Sequence, residues 1–158
     1  MIKVLFVCHG NICRSPMAEF VFKDMVKRER LEWEFHIESR ATHTDEIWNG
    51  KGSPVYPPAR RKLAEHGISC AGKTAQLLAK SDYSSYDYII GMDSENRRWM
   101  PRILGGDPQG KISLLMDYTD RPGSVADPWY TDDFDDAYLD VAEGCEGLLK
   151  YLKEKHRL

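Results

Sequence analysis

The chain has 158 residues, 42% of them hydrophobic and 30% charged, with a formal net charge of −3. This is ordinary globular composition and enough length for one domain, 1–158, with a sizeable core. The mildly acidic balance argues against nucleic acid or an anionic membrane as a main partner. No signal peptide or membrane span can be drawn, so a cytoplasmic protein is expected.

Ile2 to Val7 is short, bounded and rich in β-branched and aromatic residues, which predicts a buried strand. The stretch Cys8-His9-Gly10-Asn11-Ile12-Cys13-Arg14-Ser15-Pro16 follows at once. Ser15 before Pro16 has the form of an N-cap with proline at the first helical position, so a helix N-terminus points back at Cys8. Gly10 and Asn11 are residue types that tolerate positive φ, and a curled loop would turn its N–H groups into a ring of anion donors aided by the helix macrodipole. Arg14 closes that ring with a planar fork able to grip two phosphate oxygens.

Beyond Pro16, Met17, Phe20, Val21 and Met25 recur at helical spacing opposite Lys23, Lys27 and Arg28, an amphipathic helix. Phe35, Ile37 and Ser39 alternate with His36 and Glu38 as a second strand. Asn49-Gly50, Ser53-Pro54 and Pro57-Pro58 mark a long irregular loop over 41–58. A helix should run from Pro58 to His66 and stop at Gly67. Tyr86 to Met92 reads as a third strand, with Asp93 or Ser94 capping a helix that Pro101 and Gly105-Gly106 end; Asp93 is read as a cap and loop brace. Lys111 to Met116 is a fourth strand, and a last helix opens at the acidic run Asp132 to Asp136. Four strands interleaved with helices predict an α/β fold, a four-stranded parallel sheet with helices on both faces and the loop after strand one at its carboxyl edge.

A free cysteine of pKa near 8.5 is only about 3% thiolate at neutral pH, but a helix N-terminus and an adjacent guanidinium lower such values to roughly 3.5–7.5. Cys8 is therefore the expected nucleophile, with the Ser15 hydroxyl donating to its thiolate. Cys13, in the same loop, is either a packed thiol or a partner for Cys8 in a reversible disulfide. The four cysteines read as free thiols and the histidines are scattered, so no metal and no cofactor is expected.

Cys8 to Pro16, so close to the N-terminus, together with Asp127-Pro128-Trp129-Tyr130, resembles the low-molecular-weight protein tyrosine phosphatases over nearly the whole chain. The Met92-Asp93-Ser94-Glu95-Asn96 stretch is similar to the family as well. The resemblance implies hydrolysis of phosphotyrosine proteins, peptides and small aryl phosphates to inorganic phosphate, with acid phosphatase activity. It implies Asp127 as the acid that protonates the leaving phenolate, helped by shielding from Trp129 and Tyr130. It also implies that Ser39 braces the loop through its hydroxyl, that Trp48 with Asn49 forms one wall against the substrate ring, and that His9 and Ile12 shape the rim. Where the family commonly carries His-Lys-x-Arg, this chain reads Gly72-Lys73-Thr74-Ala75, so the brace behind the loop is rebuilt or missing. Two rivals share the loop: an arsenate reductase, which needs a cysteine relay that Cys70 and Cys145 are not spaced to give, and a phosphocysteine carrier, which needs no Asp127.

Overall fold

The computed structural model describes residues 1–158. Its sheet is built from β1 (Ile2–Cys8), β2 (Phe35–Ala41), β5 (Tyr88–Gly91) and β6 (Ile112–Leu114), all parallel, in the order β2-β1-β5-β6. A separate hairpin pairs β3 (Ile47–Trp48) with β4 (Lys51–Gly52). The helices are α1 (Arg14–Arg28), α2 (Pro57–Glu65), α3 (Asp82–Ser85), α4 (Ser94–Leu104), α5 (Pro128–Thr131) and α6 (Phe134–His156). The expected α/β architecture holds.

β1 is central, and apart from Lys3 all of it is buried, because helices cover both faces of the sheet. Side-chain alternation splits it between two cores. Val4 and Phe6 meet Phe22 and Val26 of α1 and Val141, Leu148 and Leu152 of α6. Leu5 and Val7 meet Ile89, Met100 and Leu104. Phe6, Phe22 and Phe35 stack edge to face at 5.8 and 5.6 Å, each contributing about 1.5–3 kcal/mol by burial. Because β2 and β5 lie on opposite sides of β1, the chain reverses direction across the sheet there, leaving a crevice at its carboxyl end.

Several local expectations are corrected. The first helix begins at Arg14, with Cys13 as N-cap, so Ser15 and Pro16 lie inside its first turn and the Ser15 hydroxyl serves Cys8 instead of the helix end. In the loop only Asn11 takes positive φ, at 59°; Gly10 does not. The irregular stretch after Ala41 contains the β3-β4 hairpin, whose Asn49-Gly50 turn has φ of 50° and 74°, the pairing that two-residue hairpins favour. Pro101 is tolerated inside α4, which runs on to Leu104 and ends at Gly105 with φ 84°. Leu115 and Met116 leave the fourth strand for a 3-10 turn, Leu115–Tyr118, that buries both under α6.

Candidate active site

The loop between β1 and α1 is held by its carbonyls. Those of Cys8, His9, Ile12 and Cys13 accept from the N–H groups of Thr42, His43, Tyr56 and Met17 at 3.0, 3.1, 2.8 and 3.0 Å. The N–H groups of His9 through Cys13 donate to nothing in the protein. With its acceptors tied to the protein and its donors left over, the loop is wired to receive an anion.

At the base of the loop the Cys8 sulfur lies 2.9 Å from Ser15 Oγ, both buried. Asn11 Nδ2 donates to Ser15 Oγ at 2.8 Å and to Ser39 Oγ at 2.9 Å, while its Oδ1 accepts from the N–H of Gln76 at 3.0 Å. Ser39 thus meets the loop from β2, its hydroxyl oxygen accepting from the Asn11 amide.

Arg14 is buried at the loop's far end. Its Nη1 donates to the Val125 carbonyl at 3.1 Å and its Nη2 to Asp93 Oδ2 at 2.8 Å, with Asp127 Oδ2 at 3.4 Å. Burial opposes its charge, but Cys8, Asp93 and Asp127 outweigh this and push its pKa above the ordinary arginine value. The Asp93 carboxylate divides its work: Oδ1 caps α4 by accepting from the Asn96 N–H at 2.8 Å, and Oδ2 holds Arg14. Burial, with the charge of Cys8, pushes the Cys13 thiol up to about 12.

A cavity of about 890 Å³ opens over Cys8, Cys13, Arg14 and Asp127 and is also lined by His9, Gly10 and Ile12, and by Trp129 and Tyr130. Trp129 and Tyr130 are 80% and 85% exposed, so they stand at the mouth rather than shielding Asp127, whose Oδ1 accepts from the Trp129 N–H at 3.0 Å.

Trp48 and Asn49 do not line this cavity. The hairpin turn directs Trp48 outward, where it is 64% exposed. The opposite wall is made instead by His9, His43 and Trp99. The two imidazoles stack at 4.2 Å, His43 meets the Trp99 ring edge-on at 5.1 Å, and His9 Nε2 pairs with Asp45 at 2.7 Å, a bond that holds Asp45 below the usual carboxylate value. Sequence reading missed His43, Trp99, Tyr56 and Phe134. His43 lies two residues beyond the carboxyl end of β2, so the sheet-edge rule applied to that strand would have found it.

The family model described as "Low molecular weight phosphotyrosine protein phosphatase" matches residues 3–158. The chain belongs to this family. The Bacillus subtilis low molecular weight protein-tyrosine-phosphatase YfkJ is 36% identical over the full length of both chains, and its crystal structure superposes with a TM-score of 0.92, covering 98% of this chain and 96% of that one. The Gallus gallus low molecular weight phosphotyrosine protein phosphatase is 37% identical, covering 93% of each chain. A Drosophila arginine phosphatase structure is 31% identical, with a TM-score of 0.84 and coverage of 96% and 98%. As a low molecular weight phosphatase the chain is a hydrolase, and no helix in it is long and apolar enough to cross a membrane.

Proposed function

We propose that this phosphatase hydrolyses phosphotyrosine and small aryl phosphates through a cysteinyl-phosphate. The observation that carries the reading is the loop itself, with unpartnered N–H groups around a buried cysteine, closed by a guanidinium that two carboxylates hold in place.

Cys8 attacks phosphorus in line from the floor, with the Ser15 hydroxyl as its hydrogen-bond partner. The loop amides and Arg14 take the equatorial oxygens. Asp127, on the same cavity wall and within reach of Arg14, protonates the departing phenolate; once ionised, it accepts a proton from the water that hydrolyses the thiophosphate, releasing inorganic phosphate. Ile12 and the His9 face, with Trp129 and Tyr130 at the mouth, suit a flat aromatic ring.

The rival chemistries draw no support here. Cys70 and Cys145 are buried and line no part of the cavity, so neither continues an electron relay from Cys8. Asp127 has no task in a phosphocysteine carrier. A cytoplasmic setting suits four free thiols, one of them the nucleophile, and the partners are phosphotyrosine proteins or peptides.

The test is hydrolysis of p-nitrophenyl phosphate and a phosphotyrosine peptide without added metal. Cys8→Ser should abolish turnover. Asp127→Ala should lower kcat by ~10²–10⁴, more for phenyl phosphate than for the nitrophenyl ester, whose leaving group needs less help. Retained turnover in Cys8→Ser, or a preference for phosphoarginine over phosphotyrosine, would overturn the reading.

A further inference from the structure

The acid of the proposed reaction stands on a segment with little of its own to hold it. Asp127 opens α5, a four-residue helix whose backbone bonds are internal: the N–H groups of Tyr130 and Thr131 donate to the Asp127 carbonyl, and that of Asp132 to the Pro128 carbonyl. Of that helix only Pro128 is buried, and the residues leading to it, Asp120 to Ser124, are all exposed. A carboxyl that must meet a leaving oxygen needs tighter placement than such a segment supplies, since a shift of about 1 Å can cost about 10²-fold in rate.

The anchors gather on the two residues just before the acid. The Val125 N–H donates to the Met92 carbonyl at 2.8 Å. The next peptide unit is gripped at both edges. Its carbonyl, that of Val125, accepts from Arg14 Nη1 at 3.1 Å, and its N–H, that of Ala126, donates to Asp140 Oδ2 at 3.0 Å. Asp140 lies on α6, and its Oδ1 accepts from Arg121 Nη2 at 3.0 Å, which also donates to Glu143 Oε1 at 2.7 Å. The last long helix therefore holds the acid's segment at two points, Arg121 and Ala126.

Peptide planarity says what the second point does. The carbonyl and N–H of a trans unit face opposite ways and cannot turn independently. By fixing the Ala126 N–H, the Asp140 carboxylate fixes the Val125 carbonyl that aims Arg14, and it fixes the point from which the chain continues into Asp127. A carboxylate on the N–H also polarises the unit and strengthens that carbonyl as an acceptor. We propose that Asp140 is a positioning residue, acting through the Val125–Ala126 peptide to set Asp127 and Arg14 over Cys8. Asp140 does not line the cavity, so it acts without touching substrate. The two groups depend on it unequally. Arg14 is also held by Asp93 at 2.8 Å, whereas the charged contact of Asp127 is Arg14 itself, at 3.4 Å.

This inference rests on Asp127 being the acid. The experiment compares kcat/KM for phenyl and p-nitrophenyl phosphates in wild type, Asp127→Ala, Asp140→Ala, Asp140→Asn and the double alanine variant. Asp140→Ala should lower kcat/KM about tenfold on phenyl phosphate and about threefold on the nitrophenyl ester, so that their ratio moves in the same direction as in Asp127→Ala. A merely structural role would lower both rates alike and leave the ratio where it was. Once Asp127 is alanine, removing Asp140 as well should cost less than about threefold on either ester, because the group it positions is gone. Asp140→Asn keeps an acceptor for the Ala126 N–H and should bring the ratio back to within about twofold of wild type. If Asp140→Ala does not fold, Asp140→Ser, polar but too short to reach Ala126, should move the ratio in its place. A ratio unmoved by loss of the Asp140 carboxylate while Asp127→Ala moves it, or full additivity in the double variant, would overturn the proposal. A ratio unmoved in Asp127→Ala itself would instead sink the acid assignment on which it rests.

Discussion

Asp93 offers a quantitative test of how the site is held together, because its two oxygens do separable jobs. Oδ1 caps α4 in a reciprocal arrangement with Asn96, whose own Oδ1 accepts from the N–H groups of Met92 and Asp93 at 2.9 and 3.1 Å. A lost cap of this kind costs about 1 kcal/mol. Oδ2 accepts from the buried Arg14 at 2.8 Å, and a charge-assisted bond to a buried partner contributes about 2 kcal/mol. Asp93→Ala removes both, so unfolding should become easier by about 3 kcal/mol. In a chain of this length that lowers Tm by about 6–12 °C. Asp93→Asn keeps the capping carbonyl and loses the charge, for about 2 kcal/mol and about 4–8 °C. Urea titrations of the two variants against wild type give the cap as their difference and the Arg14 contact as their common loss. In kinetics, both should raise KM by up to about tenfold, because Arg14 keeps only Val125 and Asp127 to aim it. Neither should change the ratio of rates on phenyl and nitrophenyl phosphates. An Asp93→Asn variant as stable as wild type would refute the brace; one that lost only the poor leaving group would transfer the acid role from Asp127 to Asp93.

Two further outcomes follow from the same geometry. Trp48→Ala should leave KM for a phosphotyrosine peptide within about twofold, whereas Trp99→Ala, which removes the ring that His43 packs against, should raise it about three- to tenfold; steady-state kinetics on one peptide would reverse the wall assignment if the order were opposite. Cys145 is fully buried and its thiol is pushed up by that burial. Its folded pKa lies above the unfolded value, so its contribution to stability is whole below about pH 8.5 and is lost as pH rises, at up to about 1.4 kcal/mol per pH unit. Cys145→Ala should therefore be less stable at pH 7 yet decline about 2–3 kcal/mol less between pH 8.5 and 10.5, and parallel declines in urea titrations would count against it.

How much was legible varied with how local the cause was. The strand Ile2 to Val7, the loop to Arg14 and the Asp93 cap depend on residues within a few positions of one another, and all are found close to where the sequence put them. Ser15 reads both as a helix cap and as the partner of Cys8; only the second holds, because the curl of the loop brings the Cys8 sulfur within reach of its hydroxyl while Cys13 takes the cap position. Pro101 reads as a helix end because its missing N–H weakens a helix in isolation, while the buried face of α4, through Met100 and Leu104, holds the helix together across it. Trp48 lies outside the cavity for a third reason: the Asn49-Gly50 turn sets the hairpin, but where the hairpin rests is not encoded next to it.

The sequence by itself determined which reactive groups the chain carries and the family it belongs to. Thiol, guanidinium and carboxylate are set by residue type and can be picked out from the Cys8-to-Arg14 stretch and Asp127 alone, although the loop is closed by the distant N–H groups of Thr42, His43 and Tyr56 and its arginine is held by Asp93 and Val125. Only the tertiary structure decided what surrounds that chemistry: which rings wall the cavity, and which charges stand behind Ser39. Glu19, Ser39 and Lys73 come from α1, β2 and the segment after α2, yet the Ser39 hydroxyl donates to Glu19 and the Lys73 ammonium to the Ser39 carbonyl, contacts that exist only once the layers have packed.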